Sequence, residues 1–228
     1  MRFLITLAAV LGLTAAAHAH FVFAYVTDDR GEVRVVFGHG AAPDPKTPAT
    51  RCETAVLTAR TADGKDAKLT TEKGDGNFYK AKLDGKPAVV FGHTATAVTQ
   101  REGADPTLTT YYPKAVVGDP FAKTATVGKA VPVELVPVKD GDKVRFKLLL
   151  DGKPAEGVEV TIGVPGKDDE SDPVKTDKDG LTPTFAEFGR YAVAARQVDD
   201  KPGELDGKKY KAVRRIATLV CDVSKPAK

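Results

Sequence analysis

At 228 residues the chain is long enough for one large or two small β-domains, each with a core of its own. Its formal charge of +3 is spread among mixed acidic and basic residues, which leaves no basic stripe for nucleic acid. With no Trp and 7% aromatic residues, it also lacks the material for a polysaccharide-stacking face.

The chain opens with Met1-Arg2 and an apolar run from Phe3 to Ala17 that holds no acidic residue. A charged start, an apolar stretch and small residues at a break make a secretory signal, expected over residues 1–19. Ala17 and Ala19 fit the small-x-small cleavage rule, so a cut after Ala19 leaves His20 as the first residue. Its α-amine and Nδ1 then chelate one metal ion from a single residue. Ala15 and Ala17 fit the same rule, and that cut leaves His18-Ala19-His20. There the amine, two amides and the third-residue imidazole make a square-planar site for Cu(II) or Ni(II). The leader is too short to span a bilayer, and no later stretch approaches ~20 apolar residues. The expected product is periplasmic or secreted, with no membrane insertion after cleavage.

Beyond the leader, short runs rich in Val, Thr, Phe and Tyr alternate with Gly, Pro, Asp and Lys clusters, the pattern of an all-β protein. His20–Thr27 is apolar on both faces, which predicts a central strand. Asp28-Asp29-Arg30-Gly31 turns the chain into a second strand at Glu32–Phe37. Residues 41–50 carry three prolines and read as a loop. Strands follow at Thr54–Thr61, Asn77–Leu83, Ala88–Phe91 and Thr107–Tyr112, with hairpin turns at Asp63-Gly64 and Asp75-Gly76. The pattern loosens over Gly118–Lys129.

A second unit starts near Val131, with Val144, Phe146, Leu148 and Leu150 on one strand face and Val158, Val160, Ile162 and Val164 on another. Asp177-Lys178-Asp179-Gly180 lacks the remaining EF-type ligand positions and reads as a β-turn. Tyr191–Ala195 and Tyr210–Cys221 complete the set. The division is therefore an N-terminal β-sandwich-like domain over 20–127, an immunoglobulin-like β-sandwich over 128–223 and a loose tail over 224–228. Cys52 and Cys221 either pair, joining an early loop to the last strand, or stay as separate buried thiols.

Of the four histidines, His18 is removed with the leader when the cut falls after Ala19. His39 ends Val35-Val36-Phe37-Gly38-His39 and His93 ends Val89-Val90-Phe91-Gly92-His93, so one pentapeptide occurs twice. Alternation puts each imidazole on the apolar face at a strand end, past a Gly that lets the backbone deviate. Convergence of His20, His39 and His93 at one end of the sandwich would make an all-nitrogen metal site suited to Ni(II), Co(II), Cu(II) or Zn(II). Binding through neutral imidazole weakens as pH falls through the histidine range.

His18-Ala19-His20-Phe21, Phe37-Gly38-His39 and Tyr111-Tyr112-Pro113-Lys114-Ala115-Val116-Val117-Gly118 together resemble a NikM-like bacterial family. So do Val133-Glu134-Leu135-Val136-Pro137, Asp151-Gly152-Lys153-Pro154, Thr176-Asp177-Lys178-Asp179-Gly180 and Gly189-Arg190-Tyr191. The resemblance covers nearly the whole chain after the leader. It implies an exported β-rich protein associated with nickel and cobalt uptake, with His20, His39 and His93 at the matching positions and a separate membrane transporter as partner. The leader junction also resembles CopC-type periplasmic copper carriers, although their methionine-rich Cu(I) site has no counterpart, since Met1 is the only methionine. Histidine-brace oxygenases are a third comparison, and these need a sugar-binding aromatic face.

No Ser-His-Asp set and no isolated carboxylate pair is legible, so the expectation is a non-enzymatic metal-delivery or sequestration protein. The competing expectation is an envelope structural or adhesion module whose histidines are incidental.

Overall fold

The structure is a computed structural model that describes residues 20–225, apart from 30, 86, 101 and 168–171. The expected leader, both cleavage sites and His18 lie outside the described residues.

The alternating runs form strands throughout. The first half supplies β1 (Phe21–Val26), β2 (Glu32–Gly38), β3 (Val56–Thr61), β4 (Asp66–Leu69) and β5 (Glu72–Lys73). It continues with β6 (Phe78–Lys82), β7 (Pro87–His93), β8 (Ala97–Thr99) and β9 (Thr107–Val116). The second half supplies β10 (Val133–Asp140), β11 (Lys143–Leu150), β12 (Lys153–Pro154), β13 (Glu159–Gly163) and β14 (Val174–Lys175). Last come β15 (Gly189–Asp199), β16 (Gly203–Leu205), β17 (Lys208–Tyr210) and β18 (Ala212–Val223). The turn after β1 is fixed by Asp29, whose Oδ1 accepts hydrogen bonds from the Thr27 hydroxyl at 2.6 Å and the Gly31 N–H at 3.0 Å.

The chain is all-β, and its central layer is one long sheet in the order β14-β13-β15-β18-β9-β7-β3-β4. Consecutive residues of this sheet face opposite cores. Val89, Ala195, Leu219 and Cys221 join one core with Val144, Phe146 and Leu148 of β11. Val90, Ala194, Ile216 and Val220 join the other with Phe23 of β1 and Val33 and Val35 of β2. A strand buried on both faces has to be apolar at successive positions, as Leu219-Val220-Cys221 is. The sheet β1-β2-β6-β5 closes the first sandwich, and the sheet β10-β11-β12 closes the second, immunoglobulin-like one. Tyr191 anchors the latter as a tyrosine corner, its hydroxyl donating to the Glu187 carbonyl at 2.8 Å. The two expected sandwiches thus share their middle sheet, and β18 pairs in parallel with β9 across the boundary expected near residue 128.

β1 departs from its expected central place. Among the described residues it pairs only with β2, at the sheet edge. Its two-sided apolar pattern is satisfied by packing instead: Phe21 to Tyr25 are all buried, and the Thr218 hydroxyl on β18 donates to the Val22 carbonyl at 2.7 Å.

Cys52 and Cys221 are both free. They sit in different cores, on opposite sides of the long sheet, so no bridge joins them. Burial pushes each thiol up to about 12. Asp177 spends its carboxylate on the turn, accepting from the Asp179 and Leu181 N–H groups, while Arg145 takes its second oxygen. That is the expected β-turn use of the segment.

One charged pair is sealed inside. Lys114 on β9 and Glu134 on β10 meet at 2.6 Å, with side chains 4% and 3% exposed. Lys114 also donates to the Ala125 carbonyl, and Glu134 accepts from the Val127 and Gly128 N–H groups. Burial pushes the ammonium pKa down, and the neighbouring carboxylate opposes the shift.

Candidate metal centre

The hairpin register assembles the site. Phe21 stands opposite Gly38 in the antiparallel ladder between β1 and β2. His20 precedes the one and His39 follows the other, so continuing the same register sets the two imidazoles side by side. Their ring centroids are 4.0 Å apart, at an interplanar angle of 50°.

The third group comes from the proline-rich loop. His20 Nε2 lies 2.5 Å from Asp44 Oδ2. Asp44 is held from several sides. Its Oδ1 accepts from the Lys46 N–H at 2.7 Å, and its Oδ2 accepts from the Thr47 hydroxyl at 2.9 Å. The Asn77 side chain on the neighbouring hairpin donates to the carbonyls of Asp44 and Pro45, both at 3.1 Å. The loop folds tightly back onto β2, and Gly38 permits this, since a Cβ there would lie 2.7 Å from the Ala42 carbonyl oxygen. The hydrogen bond with His20, then those from Lys46 and Thr47, holds the Asp44 carboxyl well below the usual carboxylate range.

His20, His39 and Asp44 each offer a ligand atom, and these atoms all lie within 4.8 Å of one another. Two imidazole nitrogens and one carboxylate oxygen form a mixed donor set of the kind that suits first-row divalent ions. Donors 2.0–2.2 Å from one ion stand roughly 3 to 4.4 Å apart, so the 2.5 Å contact between His20 and Asp44 would open as both turned onto a metal.

Of the three histidines expected at the site, the structure brings His20 and His39 together and leaves His93 out. His93 ends β7 in the long sheet, paired with Val56 of β3. It is exposed, with Nδ1 at 3.2 Å from the Thr94 carbonyl, and belongs to no such ligand group among the described residues. Shared alternation placed His39 and His93 on equivalent strand faces, yet β2 and β7 belong to different sheets. Asp44 was the missed member. Its signal was its place in the loop directly after the second histidine of a hairpin whose turn is centred between residues 20 and 39.

The architecture and the cluster meet in the comparison with known families. The domain of unknown function DUF4198 matches residues 17–199. The chain belongs to the DUF4198 family. The matched span includes His20, His39, Asp44 and His93. No curated protein sequence matches this DUF4198 chain. Among solved structures, it is similar to a pullulanase from Anoxybacillus sp. LM18-11, at 16% identity and a TM-score of 0.20 over 85% of this chain and 28% of that one. A type I pullulanase from Bacillus subtilis str. 168, complexed with maltose, gives 14% identity and a TM-score of 0.20 over 85% of this chain and 26% of that one. The D0-D1 domain of intimin gives 14% and 0.20, over 90% and 97%. The chain therefore spans little more than a quarter of the length of the pullulanases, and scores this low bear on neither activity nor ligand. No helix among the described residues is long and apolar enough to cross a membrane.

Proposed function

We propose that this DUF4198 protein is an exported binder of a divalent transition metal, nickel, cobalt or copper, held through His20 Nε2, His39 and Asp44. It acts in delivery or sequestration rather than catalysis. The observation that carries this reading is the closeness of the three donors, with the Asp44 carboxylate already held against His20 by the loop. A divalent ion would bind the imidazoles in their neutral form, so binding should weaken in acid. The resemblance to the NikM-like family favours nickel or cobalt, and a membrane transporter that receives the ion in the periplasm.

The ring edge matters for the role of the N-terminus. A chelate by the α-amine of His20 uses Nδ1, whereas Asp44 faces Nε2. The cluster therefore works with or without a free amine at residue 20.

The test is calorimetry with Ni(II), Co(II) and Cu(II) on the chain expressed with its own leader and purified after export. His20→Ala, His39→Ala and Asp44→Asn should each lower affinity by about 100-fold or more, because losing a direct ligand exceeds the 10–100-fold loss seen for outer-shell partners. One residue inserted before His20 should leave affinity unchanged. A large loss from that insertion would move the metal to the amine and Nδ1. If His39→Ala and Asp44→Asn both bind as the parent does, the cluster is not a metal site.

A further inference from the structure

His20 belongs to two features at once. One edge of it faces Asp44, and the residue also lines a cavity of about 240 Å³. Among the described residues that line it, three are arginines, Arg51, Arg196 and Arg214, and none is acidic. Thr99 and Tyr111 add hydroxyls to the wall.

The arginines come from three separate elements: the single-turn segment Ala49–Cys52, β15 and β18. Two of them are positioned by aromatic rings. The Arg51 guanidinium stacks over Phe37 at 5.5 Å and that of Arg196 over Phe21 at 5.6 Å. Arg51 has no carboxylate partner among the described residues. Its counterpart in the second pentapeptide differs: Arg60 stacks over Phe91 at 4.9 Å and is neutralised by Asp66 at 2.6 and 2.9 Å. A positive wall without acidic residues, next to a site for a divalent ion, calls for an anion. Guanidinium forks match carboxylates in geometry, and three of them on separate elements suit several carboxylates on one molecule better than one compact anion.

We propose that this cavity receives a small polycarboxylate that arrives as the metal's co-ligand, so that the cargo is a metal chelate rather than a bare ion. This rests on the metal reading above. Three protein donors would leave positions open on the ion, and one of the three, His20, also lines the cavity. One carboxylate of the ligand would complete the coordination while the others meet the guanidiniums.

Citrate is the probe, because it acts in opposite directions in the two cases. As a mere competing chelator it lowers the apparent Ni(II) affinity of the protein; as a co-ligand it raises it. Calorimetry should show Ni(II) binding the exported protein at least about tenfold tighter with citrate present. In Arg51→Gln the same citrate should weaken Ni(II) binding, while Ni(II) alone binds as it does to the parent. Arg51 is exposed on its single-turn segment, so the variant is expected to fold, and a melting curve checks this. Arg196→Gln provides a second, independent arginine. His39→Ala should lose Ni(II) with or without citrate. Inorganic phosphate in place of citrate should give no gain; an equal gain would overturn the polycarboxylate assignment. If Ni(II) binds the parent through His39 and citrate only weakens it, the anion pocket is wrong and the metal site stands. If Ni(II) does not bind under either condition, the metal reading itself fails and this proposal falls with it.

Discussion

Two copies of Val-Val-Phe-Gly-His end in different surroundings. Residues 35–38 close β2 with His39 just past its end, and residues 89–93 close β7. Their first four residues behave alike. The valines are buried, each phenylalanine carries a guanidinium on its face, and each glycine lets a foreign carbonyl oxygen come close. The carbonyl belongs to Ala42 in one case and to Val56 in the other, and the difference follows from there. Ala42 lies in a proline-rich loop that then delivers Asp44 to His20 and His39. Val56 belongs to β3, which holds β7 in a ladder and brings no carboxylate to His93. A histidine at a strand end becomes a candidate ligand only through what folds back beside it.

The sharpest way to break this comparison is to remove each terminal imidazole in turn. His39→Ala should lower Ni(II) affinity by about 100-fold, close to 2.7 kcal/mol, while His93→Ala should leave it within twofold. Equal losses from both, measured by calorimetry beside melting curves, would show that the second copy shares the site after all.

The glycines come next, and their order reverses. A Cβ at residue 92 would collide with the Val56 carbonyl oxygen inside a paired strand, so neither side can move away without loss of ladder bonds. Gly92→Ala should destabilise by about 1–3 kcal/mol, as overpacking does, and leave metal binding unchanged. At residue 38 the clash is with a loop, which can yield. Gly38→Ala should therefore lose less stability, roughly 1 kcal/mol or below, but weaken Ni(II) binding by moving Asp44. Urea midpoints and calorimetry on the same two variants separate the cases. A Gly38→Ala variant with full metal affinity would show that the close loop approach does not position the carboxylate.

The sequence exposes most of the strands because each face alternates or, in the long sheet, stays apolar throughout. It shows the pair His20 and His39 as well, once the turn at Asp28-Asp29-Arg30-Gly31 fixes the register of the first hairpin. Alternation says which face of a strand a residue is on, but not which sheet the strand joins, and this made His93 look equivalent to His39. It also misplaced β1, whose two buried faces come from packing on β18 rather than from ladder neighbours on both sides. Asp44 had no periodicity to mark it. It is one aspartate in a loop whose path depends on Gly38, Thr47 and Asn77 together. The two cysteines, distant in sequence, ended in separate cores because the shared sheet runs between them.

The smallest expected difference lies in the guanidiniums over the two phenylalanines. Arg60 is paired with Asp66, and the hydrogen bond from Arg60 is the main cause that holds the Asp66 carboxyl below its ordinary value. A lowered folded-state pKa means that this contribution is fully present above the unfolded aspartate value of about 3.9, and that it fades as pH falls through the folded one. Asp66 is 45% exposed at its side chain, so the pair is worth no more than about 1 kcal/mol. Asp66→Asn should accordingly lower the urea midpoint at pH 7, with the gap from the parent closing as pH falls below about 4. Arg51 has no such carboxylate among the described residues, so the gap between Arg51→Gln and the parent should stay constant over the same range. A gap for Asp66→Asn that is as wide at pH 2 as at pH 7 would show that Asp66 contributes through packing. The contrast between a neutralised arginine and an open one would then have no electrostatic basis.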